Sequence, residues 1–120
     1  MNNILDANAI LRYLLCDNQE QANKVEEIIK NGAYTISEVI CEVIYVLEGY
    51  YKLDKIEICD SLLDFLDEID VNDKQIIIQA LKNYKKLNID YVDCILLSRK
   101  QIYDEDIISF DKKLLKTLNK

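Results

Sequence analysis

The chain alternates short apolar runs with longer segments in which apolar residues recur every three or four positions. The short runs predict β-strands, and the longer segments predict amphipathic helices. Strands are predicted at 2–5, 33–36, 70–71 and 106–110. Helices are predicted at 8–15, 17–30, 37–49, 54–66, 73–87 and 90–103, and from residue 111 onwards. Because strands alternate with more abundant helix, the pattern predicts a helix-rich α/β fold in which helices flank a short central parallel sheet.

Polar residues stand where these helices are predicted to begin. Aspartate, asparagine and serine side chains accept hydrogen bonds from the free N–H groups of a first helical turn, so they favour such positions. Glu20 and Glu57 lie three residues after a predicted cap, as in a capping box, and Gly32 suits a helix end. The predicted caps are Asp6, Asp17, Ser37, Asp54, Asn72 or Asp73, Asp90 and Asp111.

Length and composition predict a single globular domain over residues 1–120. The chain has no proline and two glycines, so no segment has the composition of a linker. The apolar runs are too short to span a bilayer, and 1–3 lacks the basic start of a signal peptide, which predicts a cytoplasmic protein. The four cysteines form no Cys-x-x-Cys pair, so neither a zinc site nor a disulfide framework is expected.

The net charge of −7 argues against a protein that binds nucleic acid through a broad basic surface. It does not exclude an enzyme that acts on phosphodiesters, because two bound divalent ions would offset more than half of that charge. The chain contains no histidine, so oxygen atoms are the main metal ligands that it offers. Oxygen ligands favour a hard ion such as Mg²⁺ or Mn²⁺.

Four acidic stretches, at 4–8, 39–43, 91–94 and 108–111, set a carboxylate beside apolar residues. An isolated charge in such surroundings is costly unless something pairs with it. If the fold brings the stretches together, they form a cation site. The four carboxylates are Asp6, Glu42, Asp93 and Asp111.

Each carboxylate also has an ordinary structural explanation. The two that follow predicted strands suit helix caps, and Asp93 suits a first helical turn, where the helix dipole favours a negative charge. Glu42 lies at one margin of an apolar helix face and Glu48 at the other, so periodicity does not choose between them. Asp90 fits a cap better than a primary ligand.

The order of these stretches resembles the PIN-domain family, most closely the small toxin ribonucleases of VapBC-type bacterial toxin–antitoxin pairs. The segments that carry the resemblance are 4–15, 37–47, 90–96 and 108–113. The resemblance selects Glu42 over Glu38 and Glu48, and it selects Asp93 over Asp90. Ala7 and Ser109 depart from it, because threonine is frequent at both positions in the family.

The resemblance implies a PIN-like fold and metal-dependent cleavage of RNA that leaves a 5′-phosphate and a 3′-hydroxyl. It implies one or two Mg²⁺ or Mn²⁺ ions, a homodimer and a partner antitoxin that blocks the site. Asp6, Glu42 and Asp93 would be the main ligands, while Asp111 would bind a second ion or orient water. The supporting residues would be Asn8, Asp90 and Ser109, and the candidate phosphate contacts are Arg12, Arg99 and Lys112.

Two other functions compete with this hypothesis. A non-catalytic PIN-like interaction module would use the isoleucine- and tyrosine-rich helices to bind a partner. Tyr13, Tyr45, Tyr50 and Tyr51 would suit such an interface. A phosphoacceptor domain of the receiver type has a similar length, but it resembles this chain poorly. Such a domain expects an adjacent acidic pair after the first strand, where Asp6 is followed by an alanine.

Overall fold

The computed structural model describes residues 3–119 as two compact units, which meet in sequence between Asn72 and Asp73. The first unit contains β1 (Asn3–Ile4), α1 (Ala7–Leu15), α2 (Gln19–Lys30), β2 (Ala33–Thr35), α3 (Ser37–Gly49), α4 (Lys55–Phe65) and β3 (Asp70–Val71). The second contains α5 (Lys74–Lys86), α6 (Tyr91–Tyr103) and α7 (Lys112–Leu118). The helix-rich α/β class is therefore confirmed. Met1 and Asn2, from which the first strand was predicted to start, lie outside the described residues.

The three strands of the first unit form one parallel sheet in the order β1-β2-β3. Ile4 is in register with Tyr34, and Thr35 is in register with Val71. Each crossover between neighbouring strands contains two helices, as expected for a parallel sheet in a short chain. The main chain continues its pairing just beyond β1, since Leu5 N donates to Tyr34 O at 2.9 Å.

The helices of the first unit bury the apolar positions that their periodicity marks. α1 packs against α2 and α3, and α3 packs against α4. Side chains three or four positions apart share one helix face, so α3 buries its isoleucines while Glu42 on another face is exposed. The largest fully buried side chains of this unit are Ile10, Ile40, Ile44, Leu47, Ile58, Leu62, Phe65 and Leu66.

Thr35 links β2 to the turn that precedes α1. Its fully buried hydroxyl donates a hydrogen bond of 2.8 Å to the carbonyl of Leu5, the residue before Asp6. Removing one partner of a buried hydrogen bond costs about 1–3 kcal/mol. We therefore expect Thr35→Val to lower the free energy of unfolding by about 1–3 kcal/mol in urea denaturation.

Thr117→Val is the matched control for this substitution. Thr117 Oγ1 also donates to a carbonyl, that of Lys113 at 3.1 Å, but this bond lies on the exposed side of a helix. Exposed substitutions usually change stability by less than about 0.5 kcal/mol. Equal losses for the two variants would show that the Thr35 bond has no special role.

The second unit packs α6 against both α5 and α7. Leu97, Leu114 and Leu118 form a buried cluster, hereafter the leucine cluster. Half-buried apolar side chains cover it, namely Leu87, Leu96 and Ile107. The short α7 is thus held to the unit by its two buried leucines.

The predicted closing strand at 106–110 is wrong, because the structure has no strand in this segment. Residues 104–111 connect α6 to α7 without regular structure. Strand propensity is context-dependent, and apolar β-branched residues form a strand only where a neighbouring strand supplies hydrogen-bond partners. The segment keeps the alternation of a strand nonetheless: Ile107 and Ser109 are half-buried, while Ile108 and Phe110 are exposed.

Several predicted caps are confirmed and others are corrected. Asp54 caps α4 by accepting from Ile56 N at 2.8 Å. α2 is capped by Asn18 instead of Asp17, because Asp17 pairs with Arg12 at 3.4 Å. Ser37 is the first residue of α3 and not its cap, a position that Ile36 occupies. Asp73 and Asp90 hold the N-cap positions of α5 and α6 without a capping side-chain hydrogen bond.

Cys16, Cys41, Cys59 and Cys94 are thiols and not disulfides in the structure. Cys59 and Cys94 are buried and pack as small apolar side chains.

Within the described part of the chain, every helix is too short or too polar to cross a membrane.

Candidate functional site

Asp6 lies between the end of β1 and the start of α1. Its extended backbone ends the strand, and its Oδ1 accepts a hydrogen bond from Ala9 N at 2.8 Å, which caps the helix. The side chain is exposed, and its second carboxylate oxygen has no hydrogen bond among residues 3–119. Asp6 can therefore cap α1 with one oxygen and bind a cation with the other.

Glu42 is an exposed carboxylate in the middle of α3. The opposite face of α3 is buried and packs against α1, the helix that Asp6 begins. Glu38 is also exposed but accepts a hydrogen bond of 2.9 Å from the hydroxyl of Ser37. The first unit thus places Asp6 and Glu42 on two helices that contact each other.

Asp93 lies in the first turn of α6 and is half-buried. Burial raises the pKa of this carboxyl, and the negative charges of Asp90 and Asp111 raise it further. Asp90 and Asp111 are thus the acidic groups of the second unit whose charges act on Asp93. A cation bound beside them would relieve the repulsion.

Asp111 caps α7, as the sequence predicted. Its Oδ1 accepts from Leu114 N at 2.8 Å, and its own N–H donates to Ser109 Oγ at 3.0 Å. Ser109 therefore fixes the main chain of Asp111 and not its carboxylate. The remaining carboxylate oxygen of Asp111 has no hydrogen bond among residues 3–119.

The donor set fits a hard divalent cation. Asp6, Glu42 and Asp111 are exposed carboxylates, and Asp93 gains from any nearby positive charge. Mg²⁺ and Mn²⁺ prefer such oxygen donors and commonly keep water as their other ligands. Within residues 3–119, neither unit by itself groups three or more cysteine or carboxylate side chains that could hold a metal ion.

Two of the candidate phosphate contacts, Arg12 and Arg99, already form ion pairs. Arg12 binds Asp17 at 3.4 Å and donates to the hydroxyl of Tyr51 at 3.2 Å. Arg99 binds Glu105 at 2.6 Å and lies over the ring of Tyr103. To bind a phosphate, each arginine would have to break its ion pair with that carboxylate.

Lys112 and Asn8 are exposed and form no ion pair or hydrogen bond of their side chains within the described residues. Lys112 directly follows Asp111, so its ammonium group is free to reach a phosphate near that carboxylate. Asn8 is in the first turn of α1, two residues after Asp6.

A buried polar network near Asp93 was missed by the sequence analysis. The amide Nδ2 of Asn83, a residue only 8% exposed, donates to Ser98 Oγ at 3.0 Å and to Gln101 Oε1 at 2.8 Å. Ser98 Oγ in turn donates to the carbonyl of Cys94 at 2.7 Å. These bonds fix α6 against α5 in the part of α6 that follows Asp93. The available signal was a polar residue on the apolar face of each helix.

Comparison with known proteins identifies the family. The PIN domain model matches residues 4–119, so the chain belongs to the PIN-domain family. PIN domains are generally nucleases, and they generally use divalent metal ions. No curated protein and no solved structure is significantly similar to the chain.

Proposed function

We propose that the protein is a metal-dependent endoribonuclease and the toxin of a type II, VapBC-like toxin–antitoxin pair. The observation that carries this proposal is the match to the PIN domain model over almost the whole chain. Each of the four acidic stretches supplies one carboxylate that suits a metal ligand. The proposed ligands of one or two Mg²⁺ or Mn²⁺ ions are Asp6, Glu42, Asp93 and Asp111.

The residues around these ligands suit hydrolysis of a phosphodiester. A bound divalent ion would supply an activated water and positive charge beside the scissile phosphate. Asp6 and Asp111 each keep one oxygen in a helix cap, which holds the other oxygen in a fixed direction. Lys112 would contact a phosphate, with Arg12 and Arg99 as further candidates. Attack of water on phosphorus with departure of the 3′-oxygen would leave a 5′-phosphate and a 3′-hydroxyl.

Neighbouring polar residues would support the ligands. Ser109 holds the main chain at Asp111 through its hydroxyl. Burial raises the pKa of Asp93 and the charge of Asp90 raises it further, so Asp90 would strengthen the attraction of the pair for a cation. Asn8 would act from the first turn of the helix that Asp6 caps.

The proposed partners are RNA, a cognate antitoxin and a second copy of the chain. Tyr45 and Tyr50 are 52% and 77% exposed, and tyrosine suits interfaces that remain partly wet. We propose that residues 1–120 act as one PIN domain in the cytoplasm, which is supported by the span of the family match.

Purified, antitoxin-free protein should cleave structured RNA when Mg²⁺ or Mn²⁺ is present. EDTA should stop the cleavage, and excess metal should restore it, because no side chain in this set is expected to act as a nucleophile. The products should be analysed for 5′-phosphate ends after incubation with a panel of transfer and ribosomal RNAs. Cleavage that persists in EDTA would contradict the metal-dependent mechanism.

A preparation that neither binds Mn²⁺ in calorimetry nor cleaves any RNA of the panel would favour the non-catalytic interaction module. The exposed tyrosines would then be the first place to look for a partner surface.

A further inference from the structure

The segment between α6 and α7 exposes two large apolar side chains. Ile108 is 85% exposed and Phe110 is 96% exposed. Between and beside them, Ile107 packs on the leucine cluster, and the hydroxyl of Ser109 accepts a hydrogen bond from the main-chain N–H of Asp111. Ile107 and Ser109 thus hold the segment in place. Because side chains alternate along the segment, Ile108 and Phe110 face solvent.

We propose that Phe110 is a stacking platform for one base of the RNA substrate. The inference rests on the proposed function, since it assigns a substrate contact to the same site. Phe110 directly precedes Asp111, and consecutive Cα atoms are about 3.8 Å apart. A strand whose base stacks on the Phe110 ring would therefore pass within one residue of Asp111, where one of its phosphate groups can reach an ion bound by that carboxylate.

The chemistry around Phe110 suits a nucleotide. Aromatic rings stack on any base, because every base has a π-face, and positive side chains commonly accompany them to track the backbone. Lys112 and Lys113, which follow Asp111 in the sequence, are exposed. They provide positive charge for the neighbouring phosphates. On the other side of the segment, Glu105 is paired with Arg99, whereas Asp104 and Asp106 are exposed carboxylates, which favours phosphates on the side of the lysines.

The size of the exposed surface favours a base over a protein partner. A stable protein interface buries roughly 800 Å² on each partner and involves about 20–30 residues per side. Ile108 and Phe110 offer two side chains in one short segment, which matches the face of one or two bases. Non-specific stacking also suits an enzyme whose other contacts are to phosphate groups.

Phe110→Trp provides a direct test in the full chain, because the chain contains no tryptophan. The probe is a single-stranded uridylate oligomer of about twelve nucleotides, within the range that single-strand sites cover. In Ca²⁺, a hard cation that supplies positive charge beside the carboxylates but activates water poorly, this oligomer should quench the fluorescence of the introduced indole. An abasic ribose-phosphate oligomer of the same length should not. Equal quenching by both oligomers, or none by either, would overturn the inference.

Affinity measurements complete the test. Phe110→Ala and Phe110→Leu should each weaken binding of the uridylate oligomer about ten-fold, and Phe110→Tyr should keep it, because only the aromatic variants can stack. Ile56→Ala is the control, since it removes another exposed apolar side chain from a different element that has no proposed role in binding. Thermal stability should not change, because the Phe110 ring packs against almost nothing.

Cleavage by the parent protein in Mn²⁺ is measured in parallel, so that two failures stay distinct. If the parent cleaves RNA and Phe110→Ala binds and cleaves as well as the parent, the stacking role is wrong and the proposed function stands. If the parent cleaves no RNA, the proposed function is wrong. If Phe110→Ala leaves RNA binding intact but abolishes dimers in sedimentation, the segment is a protein interface and the base-stacking role is overturned.

Discussion

Asp6→Asn is expected to reduce RNA cleavage by more than about a hundred-fold, because residues that merely support metal ligands already contribute about 10–100-fold. The substitution removes the negative charge from a proposed ligand and leaves the size of the side chain unchanged. Binding of Mn²⁺ in calorimetry should weaken in parallel. An Asp6→Asn variant that binds Mn²⁺ and cleaves RNA like the parent would remove Asp6 from the site.

The fold should survive this change. Asn caps helices about as well as Asp, so the amide oxygen can take over the hydrogen bond from Ala9 N. Asp6→Ala would lose that bond as well and should cost a further ~1 kcal/mol of stability. The two substitutions at one position therefore separate the structural role of Asp6 from its proposed role as a ligand.

Asp54→Asn is the matched control for Asp6→Asn. Asp54 also caps a helix after an extended residue, and its Oδ1 accepts from Ile56 N at 2.8 Å, the same length as the Asp6 bond. It lies outside the four acidic stretches. If Asp54→Asn lowered cleavage as much as Asp6→Asn, the loss would reflect a general effect of altered caps and not the loss of a ligand.

Local sequence signals predicted the helices well because the relevant interactions are local. Apolar periodicity and capping residues involve groups three or four positions apart, so helix boundaries fell within a few residues of those observed. The prediction of Asp17 as a cap was wrong since Asp17 has an ionic partner, Arg12, that the capping rule does not consider. The strand at 106–110 failed for a related reason. Its residues favour a strand, but no local pattern can provide the neighbouring strand.

For the candidate site as well, some features could be predicted from the sequence and others could not. The identity of one carboxylate in each acidic stretch came from motif resemblance, since periodicity left Glu42 and Glu48 equivalent. The raised pKa of Asp93 could not be predicted, because it depends on burial and on Asp111, which is distant in sequence. The polar residue at position 83 on an apolar face was visible in the sequence, but its partners on α6 were out of reach for a pattern that treats each helix alone.

Asp93→Asn should have opposite effects on activity and on stability. Cleavage and Mn²⁺ binding should be lost, because Asp93 is a proposed main ligand. In metal-free buffer at neutral pH, however, the variant should melt at a higher temperature than the parent. Burial and the charges of Asp90 and Asp111 raise the pKa of Asp93, so its charged form is unfavourable in the folded protein.

The difference in stability between Asp93→Asn and the parent should depend on pH, in a direction that follows from the raised pKa of Asp93. A carboxyl whose pKa is raised by folding stabilises the folded state below its unfolded pKa, about 3.9 for aspartate, and loses that contribution as the pH rises through the raised value. The advantage of Asp93→Asn should therefore be present at neutral pH and disappear near pH 3, where Asp93 is neutral in both states. Thermal melts over this pH range measure it.

Glu57→Gln is the control, because Glu57 is also an acid in the first turn of its helix but is exposed. Its replacement removes a favourable interaction with the helix dipole, so it should lower the melting temperature slightly at neutral pH. Mn²⁺ should raise the melting temperature of the parent and of Glu57→Gln, since a ligand of the folded state stabilises it by mass action. Asp93→Asn should show no such rise. If Mn²⁺ stabilised Asp93→Asn as much as the parent, the repulsion around Asp93 would be unrelated to metal binding.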